Sequence, residues 1–209
     1  MEAPVADFDI VVWDFDGVLN RNIIDGRFVW SDAFEAEIGK PFDRFQTMIF
    51  DGPFKEVIVG RLDLLDLIRR WSNDAGYMGA PEEILDYWFR NDDLVDPKSL
   101  ELLEAAERVG LRNVIATNNE ARRAHYIEHK MGFDARVERL FASGRLGVAK
   151  PDPAFVEIVS ERLEVAPERL LLVDDSAVNV AAAEALGWQA YHFQPGCYDI
   201  LASILERKT

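Results

Sequence analysis

Phe8-Asp9-Ile10-Val11-Val12-Trp13 runs directly into Asp14-Phe15-Asp16-Gly17. The first six residues are short, β-branched and largely apolar, the make-up of a buried strand. The next four place two carboxylates and a glycine at its carboxyl end. Similar apolar runs recur at Arg112 to Ala116, Leu170 to Val173 and Gln189 to Phe193. Helical patterns lie between them. Asp96 and Pro97 read as N-cap and N1 of a helix with Leu100, Leu103, Ala106 and Leu111 on its apolar side and Gly110 as the stop. Asn119 to Met131 is predicted as a helix ended by Gly132. Asp152 and Pro153 open another, through about Leu163, and Ala177 to Leu186 is a fourth, ended by Gly187. Strands alternating with helices predict an α/β chain with a parallel sheet and right-handed crossovers.

The rhythm breaks between Asn20 and Val95, where helical pieces occur and no convincing strand is found. Asp32 and Glu35 suggest a capping box ahead of Phe34 and Ile38. Leu62, Leu65, Ile68 and Trp71 recur at helical spacing, and Pro81 opens a piece with Ile84, Leu85, Trp88 and Phe89 on one side. These aromatics read as core packing. The expected organisation is a catalytic core of residues 1–19 and 96–209, with a helical cap of residues 20–95 inserted after the first strand. Ligands of α/β sheets bind at the strand ends, so the insertion is placed to act as a lid.

The chain has 209 residues, with 23 Lys plus Arg against 38 Asp plus Glu, a net charge of −15. This length suits one large domain, or one domain with a smaller insertion. Its acidity speaks against nucleic acid or an anionic membrane as partner, because phosphate backbones are bound by Lys and Arg clusters. Cys197 is the single cysteine, so no intrachain disulfide can form, and it reads as a spectator thiol in a Pro-Gly-Cys turn. Met1 to Asp9 carries three acids and no base, unlike a secretory signal. No apolar run approaches the roughly 20 residues of a membrane span. The expected location is the cytoplasm, and the expected state a monomer or homodimer.

Two strands end in paired acids: Asp14 and Asp16 on the first, Asp174 and Asp175 on the strand from Leu170. Spacing of two in extended chain puts Asp14 and Asp16 on the same side. Any one of these could be an ordinary turn or N-cap aspartate. Four carboxylates converging on one sheet edge would repel one another unless a cation sat among them, and hard oxygen ligands suit Mg²⁺. The strand from Arg112 ends in Thr117-Asn118-Asn119, a hydroxyl and backbone N–H groups at a helix start that could cradle a phosphate. Lys150, in Lys150-Pro151-Asp152-Pro153, would supply the cation such a site needs.

In this order, Asp-Phe-Asp-Gly at 14–17, the strand ending in Thr117, Lys150, and Val-Asp-Asp-Ser at 173–176 resemble the motifs of the haloacid dehalogenase superfamily of hydrolases. The motifs span about residues 8 to 190. The pattern is similar to that of small sugar-phosphate phosphatases and of the phosphatase-type domain of soluble epoxide hydrolases. The resemblance implies a Rossmann-like parallel sheet with helices on both faces and a small all-helical cap. It implies Asp14 as the nucleophile and Asp16 as the acid and base. Mg²⁺ would be held by Asp14, the Asp16 carbonyl, Asp174 and Asp175. Thr117, the Asn118 N–H and Lys150 would hold the phosphoryl oxygens. Asn179 stands where many relatives carry another Asp, which shifts the metal shell toward Asp174 and Asp175.

The expected reaction is hydrolysis of a small phosphorylated metabolite, such as a sugar phosphate, through an aspartyl-phosphate. Halide removal is disfavoured, because the relatives that do it lack the second aspartate of the first motif and use no metal. A sugar-phosphate phosphomutase, or a non-catalytic phosphate-binding module, are the alternatives. Asn20 and Arg21 follow the first motif and are candidate substrate contacts, with Arg27, Trp30 and Arg61 further candidates in the insertion. His125 and His129 lie one helical turn apart, a spacing that can bind metal, but their charged neighbours make an exposed helix face the expected setting. His192 is expected to be structural.

Overall fold

The computed structural model describes residues 7–24 and 26–206. After β1 (Ile10–Trp13) comes a short hairpin, β2 (Ile23–Ile24) and β3 (Arg27–Phe28). A 3-10 turn over Val29–Ala33 leads into α1 (Phe34–Ile38), α2 (Phe42–Ile49), α3 (Phe54–Ile58), α4 (Leu64–Ala75) and α5 (Pro81–Asn91). The chain continues through α6 (Pro97–Arg108), β4 (Arg112–Thr117), α7 (Ala121–His129), β5 (Arg139–Ala142), α8 (Ser143–Leu146) and α9 (Pro153–Leu163). It ends in β6 (Leu170–Asp174), α10 (Ala177–Ala185), β7 (Gln189–His192) and α11 (Tyr198–Glu206).

Among the described residues the main sheet has the order β5-β4-β1-β6-β7 and is parallel throughout. Strand period decides its two faces. Val11, Trp13, Ile115, Leu171 and Val173 pack with residues of α6, α7 and α11 on one side. Ile10, Val12, Val114, Ala116, Leu170 and Leu172 pack with α9 and α10 on the other. Helices therefore cover both faces, which is why the strands read as nearly continuous apolar runs. Strand order reverses at β1, whose neighbours are β4 and β6, so the carboxyl ends of these three strands flank a topological switch point. In register, Trp13 pairs with both Ile115 and Val173. Asp14 and Asp174 thus leave the sheet side by side, with Thr117 one residue further along β4.

The segment between β1 and α6 buries its own cluster. Trp30, Phe34, Phe45, Trp71 and Trp88 meet there, with Trp30 stacked on Trp88 at a centroid distance of 4.9 Å. Trp30 is a core residue, 2 % exposed. Asn20 stitches the segment's entry to its exit: its amide donates to the Asp92 carbonyl at 2.7 Å, and its Oδ1 accepts from the Leu94 N–H at 2.8 Å. Several contacts join the segment to the sheet half of the molecule, three of them near its middle. Arg122 of α7 pairs with Asp63 at 2.6 Å, Ser143 Oγ donates to the Ile58 carbonyl, and Gly60 lies so close to Gly144 that a Cβ there would collide with its carbonyl.

Four details differ from the sequence expectation. The segment holds a hairpin, with Ile23 opposite Phe28 and Ile24 opposite Arg27; two-residue strands are too short to show alternation, although Asp25-Gly26 is a turn signal. No side-chain cap forms at α1, because the 3-10 turn runs straight into it and Ala33 is already helical. The edge strand β5 was not expected, since its four residues, opening on Arg139, give too little pattern. Finally, α7 starts at Ala121 with Glu120 as its cap, not at Asn119. Residues 1–6, read as lacking a secretory signal, lie outside the described residues. No helix among the described residues is long and apolar enough to cross a membrane.

Candidate active site

Asp14 follows the last residue of β1 and is buried. Its Oδ1 accepts from the Phe15 N–H at 2.7 Å and forms an ion pair with Lys150 Nζ at 2.9 Å. Lys150 Nζ also donates to Asp174 Oδ2 at 2.6 Å, so one ammonium bridges the ends of β1 and β6. Burial pushes the Asp14 carboxyl well above its ordinary value; Lys150 opposes the shift and Asp174 reinforces it. Burial alone would lower the Lys150 pKa, but Asp14 and Asp174 outweigh it and hold the lysine above its ordinary value.

The lysine is aimed by its neighbours. Asn118 Nδ2 donates to the Lys150 carbonyl at 2.8 Å, and the Lys150 N–H donates back to Asn118 Oδ1 at 2.9 Å. This two-way pairing ties the Lys150 loop to the end of β4, where the buried Thr117 sits. The prolines that follow start α9, with the Asp152 side chain accepting from the Ala154 N–H.

Asp174 is fully buried and its oxygens are committed. Oδ1 accepts from the Ser176 N–H at 2.9 Å and from Asn179 Nδ2 at 3.0 Å, and Oδ2 takes Lys150. Asn179 therefore serves to orient Asp174. Asp175 is more open, and burial together with Asp174 raises its carboxyl. His192 Nε2 lies 2.9 Å from the Asp175 carbonyl, a contact with the backbone of the site. Gly17 has φ of +84°, and a Cβ on it would strike the Asp175 carboxylate; the glycine of the first motif is required by that approach as well as by the backbone. The carboxylate oxygens of Asp14, Asp174 and Asp175 lie within 4.8 Å of one another. Two carboxyls raised by burial and by the charge of Asp174, in a pocket of hard oxygen donors, suit a divalent cation such as Mg²⁺.

Asp16 is held by three asparagine amides. Asn22 Nδ2 donates to Oδ1 at 2.8 Å and Asn20 Nδ2 at 3.2 Å, while Asn119 Nδ2 donates to Oδ2 at 2.8 Å. Each amide spends its second proton elsewhere: Asn22 on Asp92 Oδ1, Asn20 on the Asp92 carbonyl, Asn119 on Thr117 Oγ1. Behind them lies a buried pair, Asp92 and Arg123, at 2.9 Å. Burial, helped by the charge of Asp16, pushes Asp92 up to about 8 against the pull of Arg123. Arg123 also donates to the Phe89 and Asp92 carbonyls and lies 5.4 Å from the Phe89 and Tyr126 ring centres.

Asp14, Asp16, Thr117, Asn118, Lys150, Asp174 and Asp175 are thus gathered at adjacent strand ends. Asn20 and Arg21 are placed differently. Asn20 is fully buried and bonded to the chain, and Arg21 is largely exposed, 3.8 Å from Asp96. Arg27 and Arg61 sit at the surface on Asp32 and Glu56. His125, Glu128 and His129 do bring ligand atoms within 4.8 Å of one another on an exposed face. There Glu128 carries a two-point ion pair from Arg145, and His129 Nδ1 lies 3.0 Å from Asp134. Sequence reasoning missed Asn22, Asp92, Asn119 and Arg123 as parts of the site. Asn119 alone had a signal, its adjacency to Thr117-Asn118; the others meet Asp16 only through the fold.

An acid-rich, lysine-bridged switch point thus lies at the carboxyl edge of a parallel sheet. The chain belongs to the haloacid dehalogenase-like hydrolases, whose profile matches residues 8–187. It is 23% identical to a sesquiterpene phosphatase of Aspergillus oryzae over 95% of this chain and 94% of that one. It is also 23% identical to a phosphorylated carbohydrates phosphatase of Thermotoga maritima, over 86% of this chain and 82% of that one. Its fold is like that of a HAD-like family hydrolase of Porphyromonas gingivalis, with a TM-score of 0.78, 20% identity, and 97% and 100% of the two chains covered. A HAD family enzyme of Bacteroides thetaiotaomicron, solved with magnesium and inorganic phosphate, matches with a TM-score of 0.72 and 21% identity over 90% of this chain and 96% of that one.

Proposed function

We propose that this hydrolase is a Mg²⁺-dependent phosphatase that cleaves a small phosphomonoester through an aspartyl-phosphate on Asp14. The observation that carries the reading is the Lys150 ammonium bridging Asp14 and Asp174 beside the amide-held Asp16. Lys150 occupies Asp14 Oδ1, which leaves Oδ2 to attack phosphorus. The ester P–O bond breaks as the new one forms, and Asp16 delivers a proton to the departing alcohol oxygen. Water then attacks the acyl phosphate, Asp16 takes its proton, and phosphate leaves with Asp14 restored. Thr117, the Asn118 N–H and Lys150 hold the transferring oxygens.

Asp14, the Asp16 carbonyl and Asp175 would hold Mg²⁺, with Asp174 set by Lys150, Ser176 and Asn179 to support them. Bound there, the ion shields the attacking carboxylate from the anionic ester and spreads developing charge. A phosphomutase needs a second cationic pocket for its bisphosphate. Arg123, the one arginine lining the cleft beside Asp16 among the described residues, is already paired with Asp92. Hydrolysis is therefore the reading favoured over isomerisation.

Phosphate release from a panel of monoesters, with Mg²⁺ and with chelator, tests this directly. Turnover that stops on chelation supports it. The absence of turnover on every ester, nitrophenyl phosphate included, would remove it in favour of a binding module. The leaving-group role of Asp16 has its own signature. Asp16→Ala should slow phosphorylation of the enzyme by alkyl phosphates about 10²–10⁴-fold, and by nitrophenyl phosphate far less, because nitrophenolate leaves without a proton. Equal losses on both would assign Asp16 another role.

A further inference from the structure

The cleft beside Asp16 continues away from Asp14 into the inserted segment, where Phe28, Phe54, Leu64, Trp88 and Phe89 form its wall. Asp16 is the group that meets the leaving oxygen, so space beyond it belongs to the leaving alcohol. We infer that this alcohol is short and apolar, a small alkyl or allyl group rather than a sugar. The inference rests on the phosphatase reading above.

Three observations carry it. First, the wall is aromatic and aliphatic, and its Leu64, Trp88 and Phe89 are buried. Second, the cleft's polar groups are largely spent on the protein. Asp92 and Arg123 answer each other, Asn118 is paired with the Lys150 backbone, the Asn119 amide protons go to Asp16 and Thr117, and Glu120 caps its own helix through the Arg123 N–H. Arg123 Nε–H is the one buried side-chain donor of this wall without a partner. A hexose would bring several hydroxyls to a wall that answers few of them, and each unanswered one costs roughly ten-fold or more in binding. Third, the cleft is narrow, with a cavity volume of about 60 Å³ against the roughly 150 Å³ that holds a benzene ring.

Arg123, the one arginine of this wall among the described residues, lies 2.9 Å from Asp92 and is held by the Phe89 and Asp92 carbonyls, so a second phosphate or a carboxylate on the alcohol is disfavoured as well. Tyr87 and Trp30 lie behind the wall, bonded to each other through the Tyr87 hydroxyl and the Trp30 carbonyl at 2.8 Å. They give the aromatic surface a fixed backing.

The test is kcat/KM of the full chain with Mg²⁺ on methyl, ethyl, propyl, butyl and hexyl phosphates, glycerol phosphate and glucose 6-phosphate. These alcohols have similar leaving ability, so differences report the pocket. Each methylene should raise kcat/KM about fourfold until the cavity is filled. Butyl phosphate should exceed glucose 6-phosphate at least 100-fold, and Phe54→Ser should shrink the butyl-to-methyl ratio. Equal or better turnover of the sugar or glycerol ester overturns this inference and leaves the phosphatase reading standing. Failure of every ester, nitrophenyl phosphate included, overturns both.

Discussion

Asp14→Asn should abolish turnover, by about 10⁴-fold or more, while the protein stays folded. An amide cannot serve as the attacking oxygen, and no other carboxylate is positioned to replace it. Asp174 is fully buried with its oxygens committed to Lys150, Ser176 and Asn179. Asp175 abuts Gly17 and is one of the carboxylates that would hold the metal. The fold should survive because an asparagine carbonyl can still accept from Lys150, which keeps Asp174 as a charged partner. Acid quenching with labelled substrate tests the covalent role: wild type should retain covalent label and the variant none. Label retained on the variant would move the nucleophile elsewhere.

Lys150→Met should lower both rate and stability. Its ammonium touches Asp14 at 2.9 Å and Asp174 at 2.6 Å, and its loss leaves two buried carboxyls facing each other. Removing one side of a buried ion pair costs about 3–5 kcal/mol. For a chain of this size that is a fall in Tm of roughly 6–20 °C. The lysine's pKa is raised in the folded state, so its contribution is fully present below the ordinary lysine value. It is lost only as pH rises through the still higher folded value. The deficit should therefore appear undiminished at pH 7. The same substitution removes a cation from the transferring phosphoryl group, about 10³-fold in rate. Thermal unfolding and kcat measured together check both: an unchanged Tm would mean that the carboxyls are neutral without the lysine, and an unchanged rate would free Lys150 of contact with the phosphoryl group.

The strand-end motifs could be read before any coordinates because each is local. An apolar run followed by acids marks the end of a buried strand, whatever lies elsewhere, and Pro-opened helices with Asp caps mark the returns. Asp96 and Asp152 do cap α6 and α9 as read, accepting from Lys98 and Ala154 N–H. Asn20 shows where locality misleads. Its place after the first motif suggested a substrate contact, yet its amide is consumed by the Asp92 and Leu94 backbone, more than seventy residues away.

The sequence by itself determined four of the sheet's five strands, their motif order and the acids that would meet at the sheet's edge, since periodicity and strand-end chemistry are written within a few residues of each other. Only the tertiary structure decided how those acids are held and what surrounds them. The amide clamp on Asp16, the buried Asp92–Arg123 pair and the aromatic wall of the cleft bring together Asn22, Phe54, Trp88, Asn119 and Arg123. These side chains come from separate elements, and burial and hydrogen bonding select them only once those elements have packed.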